Sequence, residues 1–173
     1  YWPGEPSHKT RPSGGDSWND IVADRNVINC GSGWDRLGNM MWRMMHEELD
    51  GFSAKHIFVM AGTNDIYSRT EEAIAEGMVG LIEYIRVKQP TARIHIVHIY
   101  PRRKAIDRVD KVNATVDELL KSSDLTNYDI VDVKSVLTKA DGKLDESLFR
   151  DGLHPNEEGY RRIAEVYRKY IQN

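Results

Sequence analysis

Cysteine is almost absent from this chain: Cys30 is the single one in 173 residues, so no disulfide can form within it. That usage leaves a reducing and an oxidising compartment equally open. No apolar run approaches the roughly 20 residues that a helix needs to cross a bilayer. Charge of one sign is not in excess either. The chain sets 24 Lys and Arg against 27 Asp and Glu, a net charge of -3, which offers no broad positive field to a nucleic acid or an anionic membrane. The one basic cluster, Arg102-Arg103-Lys104, follows Pro101 and reads as a solvated loop. Phosphate loops are missing too. No Gly-Lys-Ser/Thr follows a glycine turn, and Arg36 stands where a dinucleotide fingerprint beginning at Gly31 and Gly33 would need glycine. A flavin or nucleotide binder is therefore disfavoured.

What is present is an alternation of short apolar runs with helical patterns, the mark of a parallel α/β sheet. Residues 27–29 (Val-Ile-Asn) read as a strand ending at the Gly31-Ser32-Gly33 turn. A helix from Asp35 follows, with Leu37, Met40, Met41 and Met44 on one face. Residues 55–60 (KHIFVM) form the clearest buried strand and stop at Gly62-Thr63-Asn64-Asp65. Ser68-Arg69-Thr70-Glu71 has capping-box spacing and opens a helix whose inner face is Ile74, Met78, Leu81, Ile82 and Ile85. Residues 93–100 and 128–133 read as further strands, with a helix over 107–121 between them. The last helix spans 157–171. In such sheets, sites lie beyond the carboxyl ends of the strands.

Three segments there could carry chemistry. In Asp151-Gly152-Leu153-His154-Pro155 the aspartate can grip one ring nitrogen of the histidine and leave the other as an acceptor. The same string also reads as an Asp-Gly turn leading into a helix capped by Asn156. Asn64, after a buried strand, can donate its amide to a developing oxyanion, or serve as a turn residue. The glycines at 31 and 33 let backbone N–H groups approach a substrate oxygen. His95 and His98, three apart on a strand, point to opposite faces and cannot jointly ligate a metal. His46 reads as a surface residue. Trp2 and Trp34 could flank a cleft or simply pack.

These three segments, in this order, resemble the SGNH (GDSL-type) hydrolase family. Trp42-Arg43 through Glu48-Leu49-Asp50 into HIFVMAGTND is similar to its platelet-activating-factor acetylhydrolase-like esterase branch. The resemblance covers the chain from about residue 18 on. It implies a single α/β domain over 1–173, a three-layer α/β/α sandwich around a parallel flavodoxin-like sheet. It implies His154 as catalytic base, Asp151 as its orienter, and Asn64 with a backbone N–H as the oxyanion hole. No metal or organic cofactor is implied. The backbone donor is assigned to Gly33; counted without a gap from Trp42-Arg43, it falls instead on Trp34.

The nucleophile has two readings. Gly15-Asp16-Ser17 spells the family's serine signature, which would make Ser17 the nucleophile. Yet the residues before it carry two prolines and several charges, a poor central strand. Only eleven residues separate Ser17 from Asn29, close to the minimum for a crossover. The better-fitting reading puts the first strand and its serine upstream of Tyr1, so that the domain is N-terminally incomplete here. Asp16 and Ser17 then cap a helix over 18–24. Ser7 is a weaker third candidate. The expected activity is hydrolysis of small acetyl-like esters, including esters on carbohydrate. A non-catalytic carbohydrate-binding domain on the same fold is the alternative.

Overall fold

A computed structural model describes residues 13–171. Trp2 and Ser7 lie outside the described residues. The elements in chain order are α1 (Gly15–Val22), α2 (Leu37–Met45), β1 (His56–Val59), α3 (Glu71–Lys88), β2 (Arg93–Val97), α4 (Ile106–Lys121), β3 (Tyr128–Val131), α5 (Lys134–Leu137) and α6 (Glu157–Ile171). A one-turn 3-10 helix spans Glu146–Leu148. Two compact units divide the chain. Within the described residues one holds 13–29, Pro101–Lys104 and 133–171; the other holds Cys30–Tyr100 and Ala105–Asp132.

The second unit carries the sheet. Its three strands are parallel, in the order β1-β2-β3. Strand alternation sends Ile57, Val59, Ile94, Ile96 and Ile130 to one face, where they join a single apolar cluster with α3 and α4. α3 contributes Ile74, Met78, Leu81, Ile82 and Ile85, all buried, and α4 contributes Val109, Val112, Val116 and Leu120. The helical period of 3.6 predicts both faces. Each fully buried aliphatic side chain contributes about 1.5–3 kcal/mol, so this cluster is what holds the sheet. α2 enters it through Leu37 and Met44, with Met40 and Met41 half-buried beside them.

On the opposite face, register lines up Phe58, His95 and Asp129 across the three strands. His95 is fully buried, stacks on Phe58 at 4.3 Å and lies 3.0 Å from Asp129 Oδ2. Its Nε2 meets His56 Nδ1 at 2.9 Å. Burial pushes its pKa down, partly opposed by the Asp129 carboxylate. It is a hydrogen-bonded core histidine. His98, just past β2, pairs with Asp117 on α4 at 2.9 Å. His46 is exposed and stacks on Trp42.

Several sequence expectations are corrected here. Residues 27–29 form no strand: Val27 is 45% and Ile28 62% exposed, and among the described residues no strand pairs with them. β2 ends at Val97, three residues early, because Asn113 of α4 takes over both main-chain groups of Ile99 (3.0 and 3.1 Å). The cap of α3 is Thr70, whose hydroxyl accepts the Ala73 N–H at 3.2 Å; Ser68 Oγ bonds back to the Asp65 carbonyl. α1 starts at Gly15, so Asp16 and Ser17 lie in its first turn and do not cap it. Arg102 is 9% exposed, so the basic run is not wholly solvated.

The first unit is helical. α1 and α5 both pack on α6. Gly14, at the start of α1, donates its N–H to Glu157 on α6 at 2.7 Å. α6 opens where its sequence says, with Asn156 Oδ1 accepting the Gly159 N–H at 3.0 Å.

Candidate active site

In the first unit, residues 149–155 form a loop closed at its base and filled by one carboxylate. Phe149 and Pro155 make an antiparallel bridge, and the Arg150 N–H donates to the His154 carbonyl at 2.9 Å. Inside the loop, Asp151 Oδ1 accepts the N–H groups of Leu153 (2.9 Å) and His154 (2.8 Å). Its other oxygen, Oδ2, lies 2.7 Å from His154 Nδ1. Burial alone would raise the Asp151 pKa. The two main-chain donors and the ring outweigh it and bring the group down to about 2. An ionised Asp151 accepts only, so Nδ1 carries the proton and Nε2 the lone pair. Gly152 makes the tight curve possible: its φ is 80°, and a Cβ there would lie 2.8 Å from Arg103.

In the second unit, two loops at the carboxyl side of β1 meet. Gly62 turns the chain after β1 with φ 87°, where a Cβ would strike Ile74 at 2.8 Å. That turn presents Asn64, whose Nδ2 donates to the Asp35 carbonyl at 2.8 Å. One of the two amide hydrogens is thereby used and fixes the plane of the group. Next to it, fully buried Asp65 accepts the N–H of Leu37 at 3.1 Å, at the first residue of α2, and faces Arg69 at 3.2 Å. Asn64 and Asp65 thus tie the segment 35–37 to the loop after β1.

The glycine turn itself is stapled by Arg43. Its guanidinium donates to the Cys30 carbonyl at 2.9 Å, pairs with the Asp35 carboxylate, and reaches Glu48 at 2.7 Å. Both ends of the turn, 30 and 35, hang on one side chain. Gly33 lies exposed within it. The left-handed backbone expected of a glycine is found one residue on, at Trp34, with φ 65°. The Trp34 side chain is 84% exposed.

Ser17 stands on a helix, not at the end of a strand. It is half-buried in the first turn of α1, on a groove of about 300 Å³ lined also by Asp16, Asp20, Glu157, Glu158, Arg161 and Arg168. Asp151 and His154 are brought together; so are Asn64 and Asp35. Arg43 carried no site role in the sequence reading. Its pairing spans eight and thirteen residues, which no local pattern reveals.

Comparison with known proteins adds to this geometry. The sequence matches the GDSL-like Lipase/Acylhydrolase family over residues 3–162. It is 29% identical over 156 residues to the human platelet-activating factor acetylhydrolase IB subunit alpha2, covering 89% of this chain and 68% of that subunit. A lipolytic G-D-S-L family protein from Veillonella parvula is 26% identical, with a TM-score of 0.72 over 90% of this chain and 85% of that one. A GDSL-like lipase from Bacteroides thetaiotaomicron superposes with a TM-score of 0.75 at 16% identity, covering 91% and 80%. These likenesses show an α/β/α layered fold with a central parallel sheet.

Proposed function

The chain belongs to the GDSL-like lipase/acylhydrolase family, and on that premise we propose that it is a serine esterase acting on small acyl esters, acetyl groups on carbohydrate among them. The observation that carries this reading is the Asp151–His154 pair at 2.7 Å, with the carboxylate further held by two main-chain N–H groups. Asp151 keeps the Nδ1 proton, so Nε2 of His154 takes the proton of the attacking serine hydroxyl. The serine oxygen bonds to the ester carbonyl carbon and the carbonyl oxygen becomes an oxyanion. On collapse, the C–O bond to the alcohol breaks and His154 returns its proton to the leaving oxygen. A water then repeats the sequence and frees the acid.

The oxyanion donors are the second Nδ2 hydrogen of Asn64 and a backbone N–H of the stapled turn. Gly33 is the first reading for that backbone donor. The left-handed φ at Trp34 favours a second, in which the Trp34 N–H donates.

The nucleophile in this proposal is a serine, and the setting of Ser17 argues against that residue. Ser17 has a helical backbone and does not end a strand, and the groove around it holds the paired charges Glu158–Arg161 and Asp20–Arg168. The test is labelling with a fluorophosphonate, followed by peptide mapping, on the protein and on its Ser17→Ala variant. Adduct on a serine other than Ser17, unchanged in the variant, is the expected result. Adduct on Ser17 that disappears in the variant overturns this assignment and makes Ser17 the nucleophile. Sugar binding with no adduct points to the non-catalytic carbohydrate-binding alternative.

A further inference from the structure

The basic run after Pro101 does more than solvate a loop. Arg103 reaches the base loop through both its main chain and its side chain. Its N–H donates to the Gly152 carbonyl at 2.8 Å. Its Cβ and guanidinium lie against Gly152 where any side chain on that residue would collide, at 2.8 Å. The far end of the guanidinium forks onto Glu146, Nε to Oε1 at 2.7 Å and Nη2 to Oε2 at 2.6 Å. Glu146 is fixed in turn, since it opens the 3-10 turn whose cap, Asp145, accepts from the Ser147 N–H and hydroxyl.

An ion pair this exposed, about half on each side, contributes little to stability. Its value lies in geometry. A forked guanidinium is planar and directional, so it can hold a flat surface against the one residue of the loop that lacks a side chain. Gly152 is the link between Asp151 and the residues that Asp151 grips. If Gly152 rocks, the two N–H groups and the ring nitrogen that converge on Asp151 lose their common centre.

We infer that Arg103, anchored by Glu146, is a positioning residue for the Asp151–His154 pair, acting as a brace behind Gly152. This rests on the proposed role of that pair, but it can be tested without turnover.

The readout is the ring tautomer of His154, from imidazole ¹⁵N shifts and the Nδ1 proton resonance of the neutral ring. The unmutated chain is expected to hold one tautomer, with the proton on Nδ1. Arg103→Ala keeps the main-chain bond and loses the brace. It should yield mixed tautomers and a broadened or lost Nδ1 signal at an unchanged melting temperature. Glu146→Gln should move the tautomer in the same direction by less, and it decides the matter if the alanine variant folds poorly. Arg103→Lys should restore part of the signal. In the active protein, kcat should fall about tenfold in Arg103→Ala while KM holds, as for a lost interaction that orients the base. A single Nδ1 tautomer persisting in folded Arg103→Ala and Glu146→Gln overturns the inference. So does a raised KM with the tautomer unchanged, which would make Arg103 a substrate contact. If the unmutated protein hydrolyses no ester, the esterase reading fails while the tautomer result stands by itself.

Discussion

The base loop and the donor turn solve the same problem, holding a polar group in one orientation, by opposite means. Asp151 and His154 are three residues apart, and every bond that Asp151 makes is to a residue within that span. Asn64 and Asp65 reach back 29 and 28 residues to the segment they hold. The turn needs a third party as well, Arg43, to tie its two ends. A local loop closes with little entropic cost, and here it leans on one outside residue, Arg103, behind Gly152. A turn built from two loops depends on the packing that brings them together. The base loop should therefore tolerate damage to the core of the sheet unit better than the donor turn does.

The largest effect tests the chemistry proposed for these residues. His154→Gln in the active protein should lower kcat about 10⁶-fold with a normal melt, as loss of a triad base does. Ester hydrolysis with unchanged kcat in that variant would remove His154 from the mechanism. Asn64→Ala comes next. Loss of one oxyanion donor lowers kcat about 10²–10³-fold. It also unpins the Asp35 carbonyl, so it should shift the turn's amide resonances, whereas His154→Gln should leave them in place. If both variants disturb the donor turn equally, the contrast between a locally bonded loop and one tied by distant residues is wrong.

This contrast also explains what could be read before any coordinates. The helix faces of α3 and α4 and the cap at Asn156 follow from period and local chemistry, and they stand in the structure as the sequence implies. So does the grip of Asp151 on His154, since three residues fix it. What failed depended on distant partners. Residues 27–29 have the composition of a strand, but a strand is made by its neighbour, and none pairs with them among the described residues. The early end of β2 required knowing that Asn113 would turn toward Ile99. Arg43 and Arg103 are ordinary arginines in sequence; only their distant partners give them work.

Smaller effects probe each region by itself. Gly152→Ala should cost about 1–3 kcal/mol in denaturant melts, from a φ of 80° and the collision with Arg103. A cost near zero would mean the loop can open without loss. Acid gives a gentler handle. Asp151 is held at about 2 against an ordinary 3.8, so its contribution is fully present above the ordinary carboxylate range. It is lost as pH falls from about 4 through about 2, where protonation removes the charge that all three donors share. Because the side chain is 54% exposed, solvent screening keeps that contribution small. Comparing melts of the unmutated chain and Asp151→Asn at pH 7 and pH 3 should show their gap narrowing in acid; a constant gap would separate the carboxylate from the loop's stability.

The smallest effect bears on the donor turn. Trp34 adopts φ 65°, which costs an L-residue roughly 1–2 kcal/mol relative to glycine. Its side chain is 84% exposed, so little packing is lost when it is removed. Against that gain, glycine brings about 0.5–1 kcal/mol of extra freedom to the unfolded chain. Trp34→Gly should therefore raise stability by up to about 1 kcal/mol, with the bonds from Arg43 and Asn64 unchanged. A loss of stability instead would mean that the indole holds the turn from outside. The donor turn would then depend on a surface contact as well as on its two loops, and the gap between it and the locally bonded base loop would be wider still.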